Sequence, residues 1–523
     1  MRTLSTLFFI IISLFTFGQT WSDDVAQIFY NKCTQCHHTG GVAPFPLMTY
    51  AEASPLTSII TTSITTDDMP PWPPENGYQS YTHNRSLSPT EKTTILDWIS
   101  NGFPEGNQGS TPPPPVYTGG AILGNGDLEL QIPTYASKAT GTSDDYVCFA
   151  IPSGLATNRM IKSVEIIPGN PAIVHHALIY IDPANSSVTD TIGGDCAGPT
   201  TNSASLVTGY TPGSSPMTLP ATNPLKLGIP FQANSQVLFA MHYPEGSFGE
   251  VDSTKVIFHF YPPGETGVRD VLTSSLLENW SFTLPADQIT NVSAQYPPSG
   301  GLSVDVSLLS VFPHMHLIGE SMRVYGIEPS FDTLKLINVP EWNFEWQDFY
   351  FYKNIQKATA GTTLKVDAVY NNTAGNPNNP NVPPENVSAG LNTSDEMCLV
   401  FMHYMAYQAG DENYNMDSLM NLSTASIIEN EENYFSVYPN PFIDELNLFS
   451  KKLESEDQLR ISIYNGQGSL IKSLLNSSIN NGSEFHIKWD GKDSEGKTTS
   501  PGLYFVSINL NGEFYSKRVI KQR

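Results

Sequence analysis

The sequence predicts a multidomain, mainly β protein, and three observations carry that expectation. From Gly119 to about Thr424 the chain runs in short alternations of apolar and polar residues, as in SVEIIPG, HHALIYIDP, SQVLFAMHYP and KVIFHFYPP, broken by clusters of Gly, Pro, Asn and Ser. That texture means antiparallel β-sandwiches. Helical periodicity is confined to the stretch before the prolines Pro112 to Pro115. The length of 523 residues is enough for three or four domains, at about 100–200 residues each.

The elements follow in order. MRTLSTLFFIIISLFTFGQT has a basic start at Arg2, an apolar run from Leu7 to Phe17 and small or polar residues after it. The run is too short to span a bilayer comfortably, so residues 1–20 read as a secretory signal peptide. No later stretch is apolar for long enough to be a transmembrane segment. Residues 21–107 form the helical domain. Ser22 is the expected cap of a first helix carrying Val25, Ile28 and Phe29, which ends at NKCTQCHHTG. Ser88-Pro89-Thr90-Glu91 is a capping box before Ile95, Leu96, Trp98 and Ile99, with Gly102 as terminator.

Between these helices Cys33-x-x-Cys36-His37 has the spacing of covalent haem c attachment, two thiols for the porphyrin and an imidazole for the iron. A thioredoxin-like pair would want a βαβ frame and a zinc site a second ligand pair, and neither is visible around Cys33. The whole resembles a small cytochrome c domain. Met69, held among prolines in DDMPPWPP, is the candidate sixth ligand, against the alternative of loop packing. Met48 is the weaker candidate, and His38 and His83 read as surface residues.

Lys plus Arg number 26 against 51 Asp plus Glu, a net charge of −25 that repels nucleic acid and anionic lipid. Of five cysteines, haem takes two. Cys148, Cys196 and Cys398 remain in an exported, disulfide-permissive chain, so one thiol must be odd. Residues 108–118 form a stiff Pro-rich linker and 425–433 an acidic one. The roughly three hundred residues between them exceed one sandwich, so two are expected, at 119–268 and 269–424. In the tail, 434–523, the strands LRISIY and GLYFVSINL and an Asn511-Gly512 turn give a further small β-sandwich.

The middle of the chain holds the remaining chemistry. His314 and His316 in FPHMHLIG lie two apart on an expected strand and so can both reach one metal, although HxH taken alone is often chance. His175-His176 in IVHHALIY share a ligand role only at a strand end or a twist, and His242 in LFAMHYPEG taken alone reads as core or surface. Read together with SDEMC at 394–398, this order of HH, H, HxH and EMC resembles the copper type II, ascorbate-dependent monooxygenases, the peptidylglycine α-hydroxylating and dopamine β-hydroxylating enzymes. The resemblance implies two jelly-roll-like copper domains. It implies one copper on His175, His176 and His242 and a second, catalytic copper on His314, His316 and Met397. It also implies a disulfide between Cys148 and Cys196, and leaves Cys398 without its usual family partner. Imidazole suits copper in both oxidation states, and the soft Met397 thioether favours Cu(I), the form that meets dioxygen. Zinc has no redox role and suits methionine poorly. His259, His403 and His486 receive no role beyond structure, or for His403 an outer shell.

In the peptide-amidating branch an arginine, an asparagine and a tyrosine grip the substrate carboxylate, and here those positions are Phe312, Leu399 and Phe401. A carboxylate there would lose its charge-assisted bonds, so a small neutral or apolar organic substrate is expected. YPNPF, IYNGQG, KWDGKD, PGLYFV and KRVIKQR resemble the C-terminal sorting domain of the type IX secretion system. The implied protein is an exported copper monooxygenase, secreted or at the cell surface, with a fused haem as electron inlet for an unknown donor. The rival is a non-catalytic exported haem and copper protein.

Overall fold

A computed structural model describes residues 18–115, 117, 121–141, 143–196, 198–199, 203–420, 435–440, 442–450, 458–465, 470–478, 485–510 and 513–522. The expected signal peptide up to residue 17, the acidic linker and the Asn511-Gly512 turn lie outside the described residues. The chain divides into two compact units, 1–425 and 426–523. No helix among the described residues is long and apolar enough to cross a membrane.

The N-terminal part is helical. A turn over Trp21–Val25 runs into α1 (Ala26–Lys32), and α2 (Thr57–Thr65) and α3 (Pro89–Ser100) follow. The cap of the first helical segment is Thr20, whose hydroxyl accepts from Asp23 N at 3.2 Å, and not Ser22. Ser22 is buried and donates instead to Glu105 O at 2.8 Å, a tertiary partner that outcompetes the local one. The Ser88/Glu91 capping box forms in both directions. Trp21, Val25, Phe29, Ile60, Ile64, Ile95 and Trp98 fill the core of this module.

Two sandwiches follow. In the first, strands β1 (Asp145–Pro152), β2 (His176–Asp182), β3 (Ser205–Tyr210) and β4 (Gln236–Tyr243) form one sheet in the order β1-β4-β2-β3. The facing sheet is built on Leu128–Gln131, Lys255–Phe260, Arg159–Ile167 and Leu225–Phe231. Between them lie Val147, Phe149, Ile179, Phe231, Phe239 and Phe258. In the second, β5 (Leu272–Asn279), β6 (Val306–His314), β7 (Tyr350–Ala358) and β8 (Cys398–Ala406) are ordered β5-β8-β6-β7 over a sheet of Gln288–Tyr296, Thr363–Asn372, Gly319–Ile327 and Thr333–Val339. Burial alternates along Thr363–Asn372, which is why its sequence reads as a strand.

The two ligand-bearing sheets pack on one another. Tyr180, Leu206 and Leu238 of the first meet Phe312 and Phe349 of the second in a shared apolar cluster. His403, fully buried on β8, spans the seam, its Nε2 at 3.0 Å from Val207 O and its Nδ1 at 2.7 Å from Ser310 Oγ. The helical module clasps both sandwiches. Thr82 N donates to Phe351 O and Lys353 N to Ser80 O, both at 2.8 Å, which pairs the open edge of β7. Arg85 donates to Gly213 O at 3.0 Å in the loop after β3 and lies 3.7 Å from Asp348 of the second sandwich.

Gly213 itself sits at φ +77°, and a methyl group there would overlap Cys36 Sγ. Gly213→Ala is expected to cost roughly 2–4 kcal/mol, from left-handed backbone strain plus overpacking. A denaturant midpoint equal to that of the unaltered chain would show that the module does not dock this way.

The C-terminal unit is a small sandwich of its own. Phe435–Tyr438, Leu446–Ser450 and Phe485–Trp489 face Leu470–Ser478, Gln458–Asn465, Gly502–Leu510 and Glu513–Lys521 around Phe442, Leu448, Ile461, Trp489 and Val506.

Candidate metal centres

The first cluster arises from one cross-strand pair and a strand end. His242 on β4 lies directly opposite His176, the first residue of β2, and His175 precedes the strand with its N–H on His242 O at 3.1 Å. The strand end frees His175 from the alternation that would point it away from His176. The three Nδ1 atoms meet at 3.1–3.3 Å from one another. Among the described residues this is the one group of three or more His, Cys, Asp or Glu side chains close enough to share an ion.

The outer contacts explain why these nitrogens converge. His175 Nε2 is 2.6 Å from Glu345 Oε2, so the proton belongs on Nε2 and the lone pair on Nδ1. His242 Nε2 lies 3.2 Å from Asp144 Oδ2, outside hydrogen-bond geometry but close enough for the same bias. Burial, with the neighbouring histidines adding to it, holds His176 and His242 well below the usual imidazole range, hence neutral at pH 7. Ring nitrogens brought this close suit a cation shared between their lone pairs. A triangle of this size has its corners roughly 1.8 Å from its centre, which suits an ion bound to imidazole at about 2.0–2.1 Å.

The second cluster departs from the expected strand geometry. β6 ends at His314, and His316 lies in the turn beyond it, its ring at 84° to that of His314 with centroids 5.2 Å apart. The cause is Glu396, whose buried carboxylate accepts the N–H groups of His316 and Ile318 at 2.8 Å and of Met397 at 3.2 Å, pulling the backbone out of the ladder. Burial pushes this carboxyl up to about 8 against those donors.

His314 Nδ1 donates to Gln347 Oε1 at 2.6 Å and His316 Nδ1 to Asp395 O at 3.0 Å, so both present Nε2 as the free lone pair. Burial holds His314 down at about 3 and His316 at about 4. Met397 is 6% exposed, next to Glu396 and Cys398 at the start of β8. The Glu396 oxygen that accepts the His316 N–H also accepts that of Met397, so one carboxylate anchors both backbones. Two imidazoles with a thioether are a donor set for copper.

The two clusters face each other across the sandwich seam. The Phe344 ring lies 6.1–6.3 Å from the rings of His175, His176, His242 and His316. A cavity of about 20 Å³, room for about one water, opens between His176, Tyr210, Phe312, His314 and Gln347. Phe312 stacks on Phe349 at 4.8 Å, while Leu399 is buried and Phe401 packs into the apolar cluster of the seam. Cys148 and Cys196 form a disulfide, and Cys398 is a buried free thiol.

The cysteine motif sits at the end of α1. Cys33 is the helix C-cap, and the N–H groups of Cys36 and His37 both bond Cys33 O. The two thiols are not joined, and burial pushes Cys33 up to about 12 and Cys36 in the same direction, the opposite of a reactive redox thiol. His37 Nδ1 is 3.0 Å from Phe45 O, which leaves Nε2 to ligate, the arrangement of a metal-bound histidine. That donor set fits a haem c. Met69 is half-buried with its N–H on Ser63 O at 3.1 Å, and no hydrogen bond ties its loop to His37.

Sequence reasoning missed Asp144, Tyr146, Phe344, Glu345, Gln347 and Glu396. Glu396 could have been found inside SDEMC. The run WNFEWQD carries no spacing signal.

Residues 289–426, which contain His314, His316 and Met397, match the copper type II ascorbate-dependent monooxygenase, C-terminal domain. Residues 436–522 match the secretion system C-terminal sorting domain, which indicates export. The mouse DBH-like monooxygenase protein 1 is 25% identical over 284 residues, 49% of this chain and 43% of that protein. Its human counterpart is 24% identical over 291 residues, with the same shares of 49% and 43%. The chain thus spans less than half the length of these curated relatives. Among solved structures, PorZ, a type IX secretion surface component of Porphyromonas gingivalis, aligns with a TM-score of 0.14 and 18% identity over 18% of this chain and 13% of that one, too slight to bear on the fold.

Proposed function

We propose that this chain is an exported copper-dependent monooxygenase that hydroxylates a C–H bond of a small neutral or apolar molecule with dioxygen, and that its N-terminal module is a haem c electron inlet. The observation that carries the reading is the pair of facing clusters, three convergent Nδ1 atoms on one sandwich and, on the other, two imidazoles whose Nδ1 atoms are held by Gln347 and the Asp395 carbonyl. His175, His176 and His242 would hold one copper, and His314, His316 and Met397 the other. Bound copper supplies one-electron redox steps and a site for dioxygen.

The chain's own residues do the rest. Gln347, the Asp395 carbonyl and Glu345 fix the tautomers of His314, His316 and His175. Phe312 and Phe349 line the space between the clusters, and the Phe344 ring lies against His176. The wall offers a carboxylate no cation at Phe312, Leu399 or Phe401, which favours an uncharged substrate.

For the haem, Cys33 and Cys36 would supply the thioethers, His37 the first axial ligand and Met69 the second, giving an electron carrier at the front of the chain. Its Cys36 touches Gly213, three residues beyond Tyr210, which pairs with Ala177 next to His176. That short path supports an inlet toward the first cluster. Residues 1–20 and the sorting tail would serve export through the type IX machinery.

The same ligand sets would serve a non-catalytic electron-transfer protein, and turnover discriminates. Exported full-length protein is expected to hold one iron and two coppers, with the haem retained through acid and organic solvent. Given an artificial donor, it is expected to consume oxygen with hydroxylation of neutral aromatic or alkyl compounds in preference to glycine-extended peptides. Absence of copper, or oxygen uptake without a hydroxylated product, overturns the enzyme. Complete stripping of the haem overturns the inlet.

A further inference from the structure

The loop from Trp342 to Asp348 belongs to the second sandwich, yet it touches both histidine clusters. Trp342 Nε1 donates to His316 O at 3.1 Å and Gln347 holds His314, as a loop beside its own site would. Glu345 turns the other way. Its Oε2 lies 2.6 Å from His175 Nε2 on the first sandwich, across a sequence separation of 170 residues. Among the described residues, Glu345 is the acceptor on that nitrogen.

A second contact crosses the seam in the same place. Thr393 Oγ1 donates to Tyr146 OH at 2.6 Å, and the Tyr146 ring lies flat on His242 at 4.2 Å and 5°. Thr393 belongs to the loop that leads into Met397. Two of the three histidines in the first cluster are therefore backed by loops that also carry or orient the second.

A carboxylate on the outer nitrogen of an imidazole fixes its tautomer and ring orientation and raises the basicity of the inner nitrogen. We propose that Glu345 is a positioning residue for the first histidine cluster, so that this site is completed by the opposite sandwich and depends on the docking of the two. The proposal rests on the reading of His175, His176 and His242 as a copper site. The Glu345 side chain is 61% exposed while that of His175 is 10% exposed, so the effect belongs at the lower end of the usual range for such outer partners.

The test uses the full chain loaded with copper, in the forms Glu345→Ala, Glu345→Gln, Glu345→Asp and, as a control at the residue just before this loop, Glu341→Gln. Copper affinity is measured by chelator competition, and the Cu(II) spectrum of the first cluster by electron paramagnetic resonance. The expected result for Glu345→Ala is about a tenfold weakening of the first site with a changed spectrum, an unchanged second site and an unchanged melting temperature. Glu345→Gln is expected to change the spectrum, Glu345→Asp to restore part of the affinity, and Glu341→Gln to match the unaltered chain. First-site affinity and spectrum unmoved in Glu345→Ala, or moved equally by Glu341→Gln, overturn the proposal while leaving the copper site standing. An unaltered chain whose copper uptake does not depend on His175, His176 and His242 overturns both.

Discussion

Met397→Ala is expected to release the copper of the second cluster and abolish oxygenation while the first cluster keeps its metal. In the proposed site the thioether is the soft donor that joins His314 and His316, and its loss should weaken Cu(I) on the order of a hundredfold or more, beyond what outer partners contribute. The first site is spared because its ligands sit on β2 and β4 of the other sandwich. Since Met397 is buried, truncation also opens a cavity costing about 2–5 kcal/mol. Met397→Leu separates the effects, because it keeps the volume and lacks the sulfur. Both variants should carry about one copper fewer by metal analysis and consume no oxygen. Turnover persisting in Met397→Leu would remove the thioether from the site.

Acid is expected to unfold the metal-free chain at a pH where most domains are untroubled. His176 and His242 are held well below the ordinary imidazole value, His314 at about 3 and His316 and His403 at about 4, all chiefly by burial. The unfolded chain takes up these protons below about pH 6.5, and the folded chain does not. Their contribution is thus intact above about 6.5 and falls as pH drops, until the folded values are reached. Each group costs up to about 1.4 kcal/mol per pH unit, so the five histidines together remove several kcal/mol by about pH 5.5, a large part of a domain's stability, while Glu396, held up at about 8, offsets part of that loss as pH falls. Bound copper must be displaced before its ligands protonate, so the loaded chain should hold to lower pH. Denaturant midpoints measured from pH 7.5 to 5 check this; a flat profile for the metal-free chain would show that these histidines are not buried neutral.

Much of the fold was legible because its causes are local. Alternating β-branched and aromatic runs impose strands wherever one face is covered, and the Ser88/Glu91 box closes its helix with atoms three residues apart. The ligand types were legible too, since HH at a strand end, a lone H, HxH and a methionine before a cysteine are few enough to be recognised together. The Cys148–Cys196 bridge followed from the family resemblance and is present.

By itself, then, the sequence determined strand content, sandwich number and the identity of the candidate ligands, all short-range or compositional properties. It could not decide that Thr20 and not Ser22 caps the first helical turn, because Ser22's partner, the Glu105 carbonyl, lies 83 residues away. Nor could it decide that His316 leaves its strand, because the cause is a carboxylate 80 residues on. Which nitrogen each histidine presents was likewise settled by distant groups. Glu345 occupies Nε2 of His175 and leaves its Nδ1 to the cluster, and Gln347 and Asp395 occupy Nδ1 of His314 and His316 and leave Nε2 to each. A tautomer is chosen by whichever acceptor reaches the other nitrogen first; Gln347 and the Asp395 carbonyl reach theirs through the fold of the second sandwich, and Glu345 reaches His175 through the packing of one sandwich on the other.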